Sequence, residues 1–287
     1  MRRSVQVTGV VILILLAACA VIWSAALRQD RHGLLTVSFL NIGQGDSILI
    51  ESPTGTTALI DGGPTAGVLR EIGKVLPWYD RSIDLIIPTH PDSDHISGLI
   101  DVLERYRVGY IVQSSVLGTT ATWRTLENSI AADTKKGTRL VTATRGQIID
   151  LGGGAYLEVL SPDRRVPNLE TNMGCVITRL VYGSTSFMLD CDAPQAMENY
   201  LVSLDGPDLH ADVLKAGHHG SRTSSSPLFV GYVDPQYAVY SRGCNNIYGM
   251  PHAETVATFK AFNIPTLDTC TRGTITFTSD GKKVSLK

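Results

Sequence analysis

The sequence is poor in charge and in aromatic side chains, and neither sign of charge dominates. Only 18% of its 287 residues are charged, 7% are aromatic, and the formal net charge is −2, whereas soluble domains average about 25% charged residues. A chain with 43% hydrophobic residues is too apolar to remain disordered. The lack of a basic excess excludes a protein that binds DNA by electrostatic attraction alone.

Long hydrophobic runs are also lacking, with one exception near the N-terminus. Residues 4–27 contain no charged side chain, and residues 10–27 are almost entirely apolar. A run of about 20 apolar residues can cross a bilayer once as a helix, so a single run excludes a multi-pass membrane protein. Residues 1–32 are therefore predicted to form one apolar helix, either a membrane anchor or a signal peptide cleaved near residues 18–20. A lipoprotein signal ending at Cys19 is a third alternative, and all three place the remainder outside the cytoplasm.

Residues 33–287 form the exported domain in each of these alternatives. Four of the 25 basic residues and one of the 27 acidic residues lie in residues 1–32, which leaves 21 basic and 26 acidic residues and a net charge of −5. Short apolar runs alternate with segments of helical spacing, separated by Gly, Pro and Asp. This alternation, repeated in two similar halves, predicts one α/β domain with stacked sheets and helices on the outside.

The strongest chemical feature is the stretch 89–95, which reads Thr-His-Pro-Asp-Ser-Asp-His. It follows a predicted buried strand at 83–88 and precedes a predicted helix at 95–106, so it lies on a loop that a strand positions. Imidazole and carboxylate ligands suit Zn, Mn or Fe. Four of them within six residues favour a metal site over a solvated turn with a helix-capping Asp. The candidate ligands are His90, Asp92, Asp94 and His95.

Three weaker features occur in the second half of the chain. A predicted strand ends in carboxylates at Asp190 and Asp192, one of which could bridge two metals or, alternatively, cap the next helix. His218 and His219 lie between two glycines, and glycine lets the backbone pass close to a ligand. His252 lies alone at the start of the last long helix, where a histidine is more often structural.

Residues 90–95 resemble the signature of the metallo-β-lactamase superfamily, in the variant with Asp at the second ligand position. Four further segments resemble, in the same order, the extracytoplasmic hydrolase domain of the ComEC competence family. Exported phosphorylcholine esterases carry a similar signature. The four segments are Ile42-Gly43-Gln44-Gly45-Asp46, Leu59-Ile60-Asp61-Gly62-Gly63, Leu214-Lys215-Ala216-Gly217-His218-His219-Gly220-Ser221 and Asn246-Ile247-Tyr248-Gly249.

The resemblance implies an αββα sandwich with two divalent metal ions, Zn or Mn, between the sheet edges. It implies that His90 and Asp92 bind one metal and that Asp94 and His95 bind the other. Asp192 would bridge the two metals, and His218 would complete the second. The family's usual third histidine has no counterpart near residues 172–175, and Met250 stands where the family often has another histidine, so the first metal is expected to have fewer protein ligands.

The hypothetical mechanism is in-line attack on phosphorus by a hydroxide held between the two metals. Asp94 is part of this catalytic centre. His219 or His252 would donate a hydrogen bond to the phosphoryl group or a proton to the leaving oxygen. Asp46 and Asp61 would shape the site from behind the ligands. The candidate substrate-binding residues are Lys215, Ser221, Arg222 and Tyr248, with loop-capping surface as the alternative for Ser221 and Arg222.

Cysteine is scarce as well, with five residues in total. Apart from Cys19, the four cysteines of an exported domain allow three pairings into two disulfides, or they remain free buried thiols. If residues 182–184 form the turn of a hairpin, residues whose numbers sum to 366 face each other. Cys175 would then lie opposite Cys191, which leaves Cys244 for Cys270.

Three functions compete at this point. The first is a metal-dependent phosphodiesterase or nuclease that acts on nucleic acid, and the second is a hydrolase of another exported phosphodiester such as phosphocholine. The third is a non-catalytic domain that kept the fold. The set of metal ligands favours an enzyme, whereas the net charge of −5 is a weak DNA-binding signal. A choline site would need an aromatic cage, for which Trp78, Tyr79 and Tyr248 are candidates.

Overall fold

The computed structural model describes residues 2–29 and 33–287. The apolar run lies in the helix α1 (Arg2–Gln29). Across the two described ranges, no helix combines the length and the apolar character needed to cross a membrane. The prediction that residues 1–32 are an anchor or a signal peptide stays a prediction, and residues 1 and 30–32 of that segment lie outside the described ranges.

The remainder of the chain alternates short strands with helices. In chain order the elements are β1 (Leu35–Phe39), β2 (Ile48–Glu51), β3 (Thr57–Ile60), α2 (Gly67–Val75), β4 (Ser82–Ile87), α3 (Ser93–Arg105), β5 (Arg107–Gln113), α4 (Ala121–Thr134), β6 (Arg139–Thr142), β7 (Ile148–Gly152), β8 (Ala155–Ser161), β9 (Ile177–Tyr182), β10 (Thr185–Leu189), α5 (Gln195–Asp205), β11 (Val213–Lys215), α6 (Pro227–Val233), β12 (Tyr237–Tyr240), α7 (Ala253–Ala261), β13 (Thr266–Asp268), α8 (Thr269–Arg272), β14 (Ile275–Ser279) and β15 (Val284–Leu286). Short 3-10 turns lie at Asn172–Gly174, Gly206–Leu209 and Gly217–Gly220.

The strands form two sheets. The first has eight strands in the order β15-β14-β1-β2-β3-β4-β5-β6, and the second has seven in the order β13-β12-β11-β10-β9-β8-β7. Strands β3 to β6 run parallel, as do β10 to β13. The carboxyl ends of parallel strands share one edge of a sheet, so the loops that follow β3, β4, β10 and β11 gather there.

Three apolar layers hold these sheets and helices together. The inner layer joins the sheets: the Phe277 ring of the first sheet lies edge-on to Phe187 of the second, with centroids 6.2 Å apart. A second layer lies between the first sheet and α2 to α4, and a third between the second sheet and α5 to α7. Burial of these side chains is the main stabilising contribution. The layer order confirms the predicted αββα sandwich.

The strand predicted at residues 83–88 is found as β4 (Ser82–Ile87), shifted by one residue. The helix predicted to begin at residue 95 begins at Ser93, because Asp92 has the extended backbone of an N-cap residue. Asp94 and His95 therefore lie in the first helical turn. The sequence pattern did not indicate β13 or α8, which are three and four residues long.

Both expected disulfides, Cys175–Cys191 and Cys244–Cys270, are present. The arithmetic behind the first one was wrong by one residue. Tyr182 pairs with Thr185 across β9 and β10, so the turn has two residues and facing positions sum to 367. The bridge still forms because both cysteines lie beyond the strand ends, where strict pairing no longer applies.

Candidate metal centre

Five loops meet where the parallel strands end. Glycine at one position makes this convergence possible: Gly45, at φ +129°, lies so close to the backbone of Asp94 that a Cβ atom would overlap the Asp94 carbonyl oxygen. The loops that follow β1, β3, β4, β10 and β11 bring side chains of both sheets together. These side chains are Asp46, Asp61, His90, Asp92, Asp94, His95, Asp192, Lys215, His218 and His219.

The buried carboxylate of Asp192 lies at the centre of this cluster. Its Oδ2 atom lies 3.2 Å from Nε2 of His95 and 3.4 Å from the Nε2 atoms of both His218 and His219. One carboxylate oxygen thus faces three imidazoles from two sheets. This is the place that the sequence predicted for a bridging ligand.

Two groups of ligand atoms combine His95 with another residue of the stretch 89–95. His90, His95 and Asp192 form the first group, and Asp94, His95 and His219 form the second; within each group, the three atoms lie within 4.8 Å of one another. Nε2 of His219 lies 3.3 Å from Oδ2 of Asp94. The structure therefore brings together His90, Asp94, His95 and Asp192, as predicted. The Asp92 side chain is 43% exposed and lies farther out, with Oδ2 3.8 Å from Nε2 of His90.

The donor set fits divalent metal ions. The buried Nε2 atoms of His90, His95 and His219 form no hydrogen bond to any residue that the structure describes. Buried polar atoms are ordinarily paired. Imidazole nitrogens and the carboxylates that they face here are the ligand types that Zn and Mn prefer. The residues present thus fit the metals that the sequence implied.

The outer nitrogens of two of these rings are held by a shared network. The Thr89 hydroxyl donates to Oδ2 of Asp61 at 2.7 Å, so it accepts from Nδ1 of His90 at 2.9 Å. Nδ1 of His95 lies 2.7 Å from the same Asp61 oxygen. With Nδ1 engaged, each ring presents Nε2 to the centre, which is how neighbouring groups orient metal-binding histidines. Asp61 lies behind the ligands, as expected.

The electrostatics of the metal-free site differ among its histidines. Burial by itself would lower the pKa of His95, but the carboxylates of Asp192 and Asp61 outweigh it and raise that pKa well above the ordinary value. Burial would likewise lower the pKa of His219, but the carboxylates of Asp192 and Asp46 raise it well above its ordinary value. Burial and the neighbouring His95 lower the pKa of His90 to about 3. Burial would raise the pKa of Asp192, but His219 and His95 hold it well below the ordinary range.

The two adjacent histidines, His218 and His219, differ in their burial and in their hydrogen bonds. Both have left-handed backbones, with φ of 47° at His218 and 56° at His219, and both rings approach Oδ2 of Asp192 at 3.4 Å through Nε2. His219 is buried and donates through Nδ1 to the Ser241 carbonyl at 2.9 Å, which leaves Nε2 for the metal group. The His218 side chain is 27% exposed and does not belong to that group. The expectation that His218 completes the second metal stays a prediction, and His219 is the histidine that lies within a group of ligand atoms.

Both ring nitrogens of His252, which was expected to donate a hydrogen bond or a proton, lie close to backbone groups. Nδ1 accepts the backbone N–H of Arg222 at 3.0 Å, and Nε2 lies 3.1 Å from the Tyr248 carbonyl. His252 thus links the loop that contains Arg222 to the loop that contains Tyr248. Sequence spacing alone could not reveal these bonds.

Lys215 and Ser221, two of the candidate substrate-binding residues, are both buried. Lys215 is fully buried beside Asp46, so its ammonium cannot reach a phosphate backbone at the surface. Ser221 is buried, and its hydroxyl pairs with the Thr223 hydroxyl at 2.9 Å. Arg222 and Tyr248 are exposed, as a substrate contact requires.

Asp46 lies deeper in the site than the sequence indicated. It is buried, its Oδ1 lies 3.3 Å from Nδ1 of His219, and it belongs to two further groups of ligand atoms. The two glycines that flank Gln44, just before Asp46, were the available signal, because they allow this loop to approach Asp94.

Comparison with known proteins places this site in a family. The sequence model of the metallo-beta-lactamase superfamily matches residues 40–243. The chain belongs to the metallo-β-lactamase superfamily. It is a metallo-β-lactamase superfamily hydrolase, which confirms the family assignment from residues 90–95.

Among curated proteins, this superfamily member is similar to competence proteins. It is 28% identical over 263 residues to ComE operon protein 3 of Bacillus subtilis (strain 168), covering 84% of this chain and 32% of that protein. It is 29% identical over 242 residues to competence protein ComA of Neisseria gonorrhoeae, with the same coverage of 84% and 32%. The chain spans about a third of the length of these relatives. The predicted resemblance to the ComEC family is confirmed.

Among solved structures, the metallo-β-lactamase fold of this chain is similar to that of CmlA, a diiron β-hydroxylase from Streptomyces venezuelae. The TM-score is 0.51 at 13% sequence identity, and the match covers 82% of this chain and 52% of that one. At this identity the similarity supports the fold alone.

Proposed function

We propose that this chain is an extracytoplasmic, metal-dependent phosphodiesterase that cleaves nucleic acid. The observation that carries the proposal is the convergence of three unpaired histidine nitrogens and the Asp192 carboxylate at one buried place. The similarity to competence proteins supports nucleic acid as the substrate class.

The metal ligands divide into two sets that share Asp192. His90, Asp92 and Asp192 would hold the first ion, and Asp94, His95, His219 and Asp192 would hold the second. Divalent ions at such a site neutralise the charge of a phosphodiester and activate water for attack on phosphorus. The chain's own contribution is to fix the ligands, since the ring nitrogens that do not face the metals are held by Asp61, Thr89 and Ser241.

His218 is placed to meet the substrate. Its side chain is partly exposed, and its Nε2 atom points toward Asp192 while Nδ1 lies 3.4 Å from the Thr223 hydroxyl. A histidine at the mouth of the site can donate a hydrogen bond to the phosphoryl group or a proton to the leaving oxygen. We assign to His218 the role that the sequence suggested for His219.

Arg222 provides the cationic contact on the next stretch of the same loop. Its side chain is 60% exposed and lies 3.4 Å from an equally exposed Glu254 carboxylate. Such a surface pair contributes little, so the guanidinium can turn to a phosphate and bind it through two parallel hydrogen bonds. Tyr248 has 58% of its surface exposed, and a base can stack on its ring.

The phosphocholine alternative receives less support. Trp78 and Tyr79 pack edge to face, with ring centroids 5.9 Å apart, but they precede β4 whereas the metal ligands follow it. Six strand residues span about 20 Å, so these rings lie at the far end of the strand. Trp78, Tyr79 and Tyr248 therefore do not form one cage at the site.

The test is a hydrolysis assay of the purified full chain in detergent, loaded with Mn or Zn. The substrates are single-stranded DNA, double-stranded DNA, bis-p-nitrophenyl phosphate and a p-nitrophenyl phosphocholine ester. We expect DNA cleavage that His219→Ala abolishes and that His210→Ala, a change of an exposed histidine away from the site, leaves intact. Arg222→Ala should raise KM for DNA several-fold and leave the small ester unaffected. Cleavage of the small esters without DNA would reject the nuclease.

The extracytoplasmic location rests on the apolar residues 10–27 and needs its own test. Fusion of a reporter enzyme that is active only outside the cytoplasm to residue 287 should give activity with the full chain. Removal of residues 1–32 should abolish that activity. Equal reporter activity with and without the segment would contradict the proposed location.

A further inference from the structure

Lys215 is a fully buried lysine at the end of β11. Its ammonium lies inside the acidic cluster, although transfer of an isolated ammonium from water into a protein interior is costly unless charges and hydrogen bonds compensate it. The reaction proposed above does not use this residue. A lysine in such a position therefore requires another explanation.

The surroundings of the ammonium are carboxylates and a carbonyl. Nζ forms an ion pair with Oδ2 of Asp46, lies 3.7 Å from Oδ1 of Asp192, and donates to the Cys191 carbonyl at 3.2 Å. The two oxygens of Asp192 thus face different cations. Oδ2 faces the histidines, and Oδ1 faces Lys215.

The ammonium contacts part of a third group of ligand atoms. Asp46, Asp192 and His219 bring one ligand atom each within 4.8 Å of one another, and all three residues are buried. This group has the composition of a cation site and, unlike the other three groups found among the described residues, does not contain His95. Lys215 is paired with one of its carboxylates and lies close to the other.

We propose that the Lys215 ammonium is a built-in cation that takes the place of a metal at Asp46, Asp192 and His219 and so limits the centre to two metal ions. The position of the ammonium supports this assignment, because Nζ forms an ion pair with Asp46 and lies 3.7 Å from Asp192, two of the three members of that group.

The proposal rests on the metal centre of the proposed function but not on hydrolysis. Its test counts metal ions in the purified full chain after equilibration with Mn and removal of free metal. We expect two ions per chain in the wild type and three in Lys215→Met, which keeps the length of the side chain and removes its charge. Lys260→Met, a change of an exposed lysine on α7, should leave the count at two.

A second comparison covers the case in which Lys215→Met does not fold. Asp46→Asn leaves the ammonium without its nearest carboxylate, and its repulsion should weaken Mn binding at least tenfold. Adding Lys215→Met to Asp46→Asn removes that repulsion and should restore affinity to within threefold of the wild type. An unchanged metal count in folded Lys215→Met, or no gain of affinity in the double variant, would overturn the proposal. A wild type that binds no metal would reject the metal centre itself.

Discussion

The Asp61 carboxylate lies 2.7 Å from Nδ1 of His95 and approaches it from a residue with a left-handed backbone, at φ 58°. Asp and Asn adopt this conformation more readily than other side chains that have a Cβ atom. Asp61 therefore has two roles. It adopts the left-handed backbone that this turn needs, and its contact with Nδ1 leaves Nε2 of His95 facing Asp192.

Asp61→Asn tests this relationship. We expect the fold to persist, because Asn tolerates the backbone, and the metal affinity to fall by about 10- to 100-fold, because the charge behind His95 is lost. Competition with a chelator measures the affinity, and circular dichroism checks the fold. Asp208→Asn, a change of an exposed Asp, is the matched control. Unchanged affinity in folded Asp61→Asn would show that Asp61 does not position His95.

Substitutions of the two adjacent histidines should affect metal binding and catalysis differently. His219→Ala should lose the second metal ion, whereas His218→Ala should retain both ions and lose about 10²- to 10⁴-fold in kcat, the usual contribution of a proton donor. Metal analysis combined with steady-state kinetics separates these outcomes. Loss of metal from His218→Ala with retention in His219→Ala would restore the assignment made from sequence alone.

Proton and metal binding should compete at this site. The folded pKa values of His95 and His219 are raised, so the stability they contribute to the metal-free protein is fully present below about pH 6.5, the unfolded value. It is lost as the pH rises through the folded values. The Tm measured with a chelator should therefore fall as the pH rises above 6.5.

The stabilisation that a bound metal gives should depend on pH in the opposite direction, because the metal binds the neutral imidazoles. The increase in Tm on adding Mn should grow over the same pH range. Thermal unfolding at several pH values, with chelator and with saturating Mn, checks both trends. A metal-induced increase that stays constant with pH would contradict the competition.

The Cys175–Cys191 disulfide lies next to Asp192, and the Cys191 carbonyl accepts hydrogen bonds from His218 N–H and from Lys215. Replacing both cysteines by Ala should lower the free energy of unfolding by about 3 kcal/mol, as expected for a loop of this length. It should also weaken metal binding. Removing Cys244–Cys270 should lower the stability similarly and change metal binding less, and denaturant unfolding with chelator competition compares the two variants.

Much of the fold could be predicted because its elements are encoded locally. Alternating apolar runs separated by Gly, Pro and Asp indicated the buried strand β4 and the helix α3, and strand pairing then follows from the need to bury apolar faces. The pattern was insufficient for β13, which has three residues and depends on its neighbour β12 for hydrogen bonds. The hairpin turn of β9 and β10 was wrong by one residue, because its length depends on the φ of Gly183.

The sequence by itself indicated the family, the layered fold and the candidate ligands His90, Asp94 and His95, because clustered ligand types on one strand-to-helix turn are a local signal. Tertiary structure decided that His219 is buried beside Asp94 while His218 is partly exposed, since the neighbouring loops surround the two adjacent rings differently. It also decided that Lys215 is buried against Asp46, a pair 169 positions apart that only the packing of the two sheets brings together.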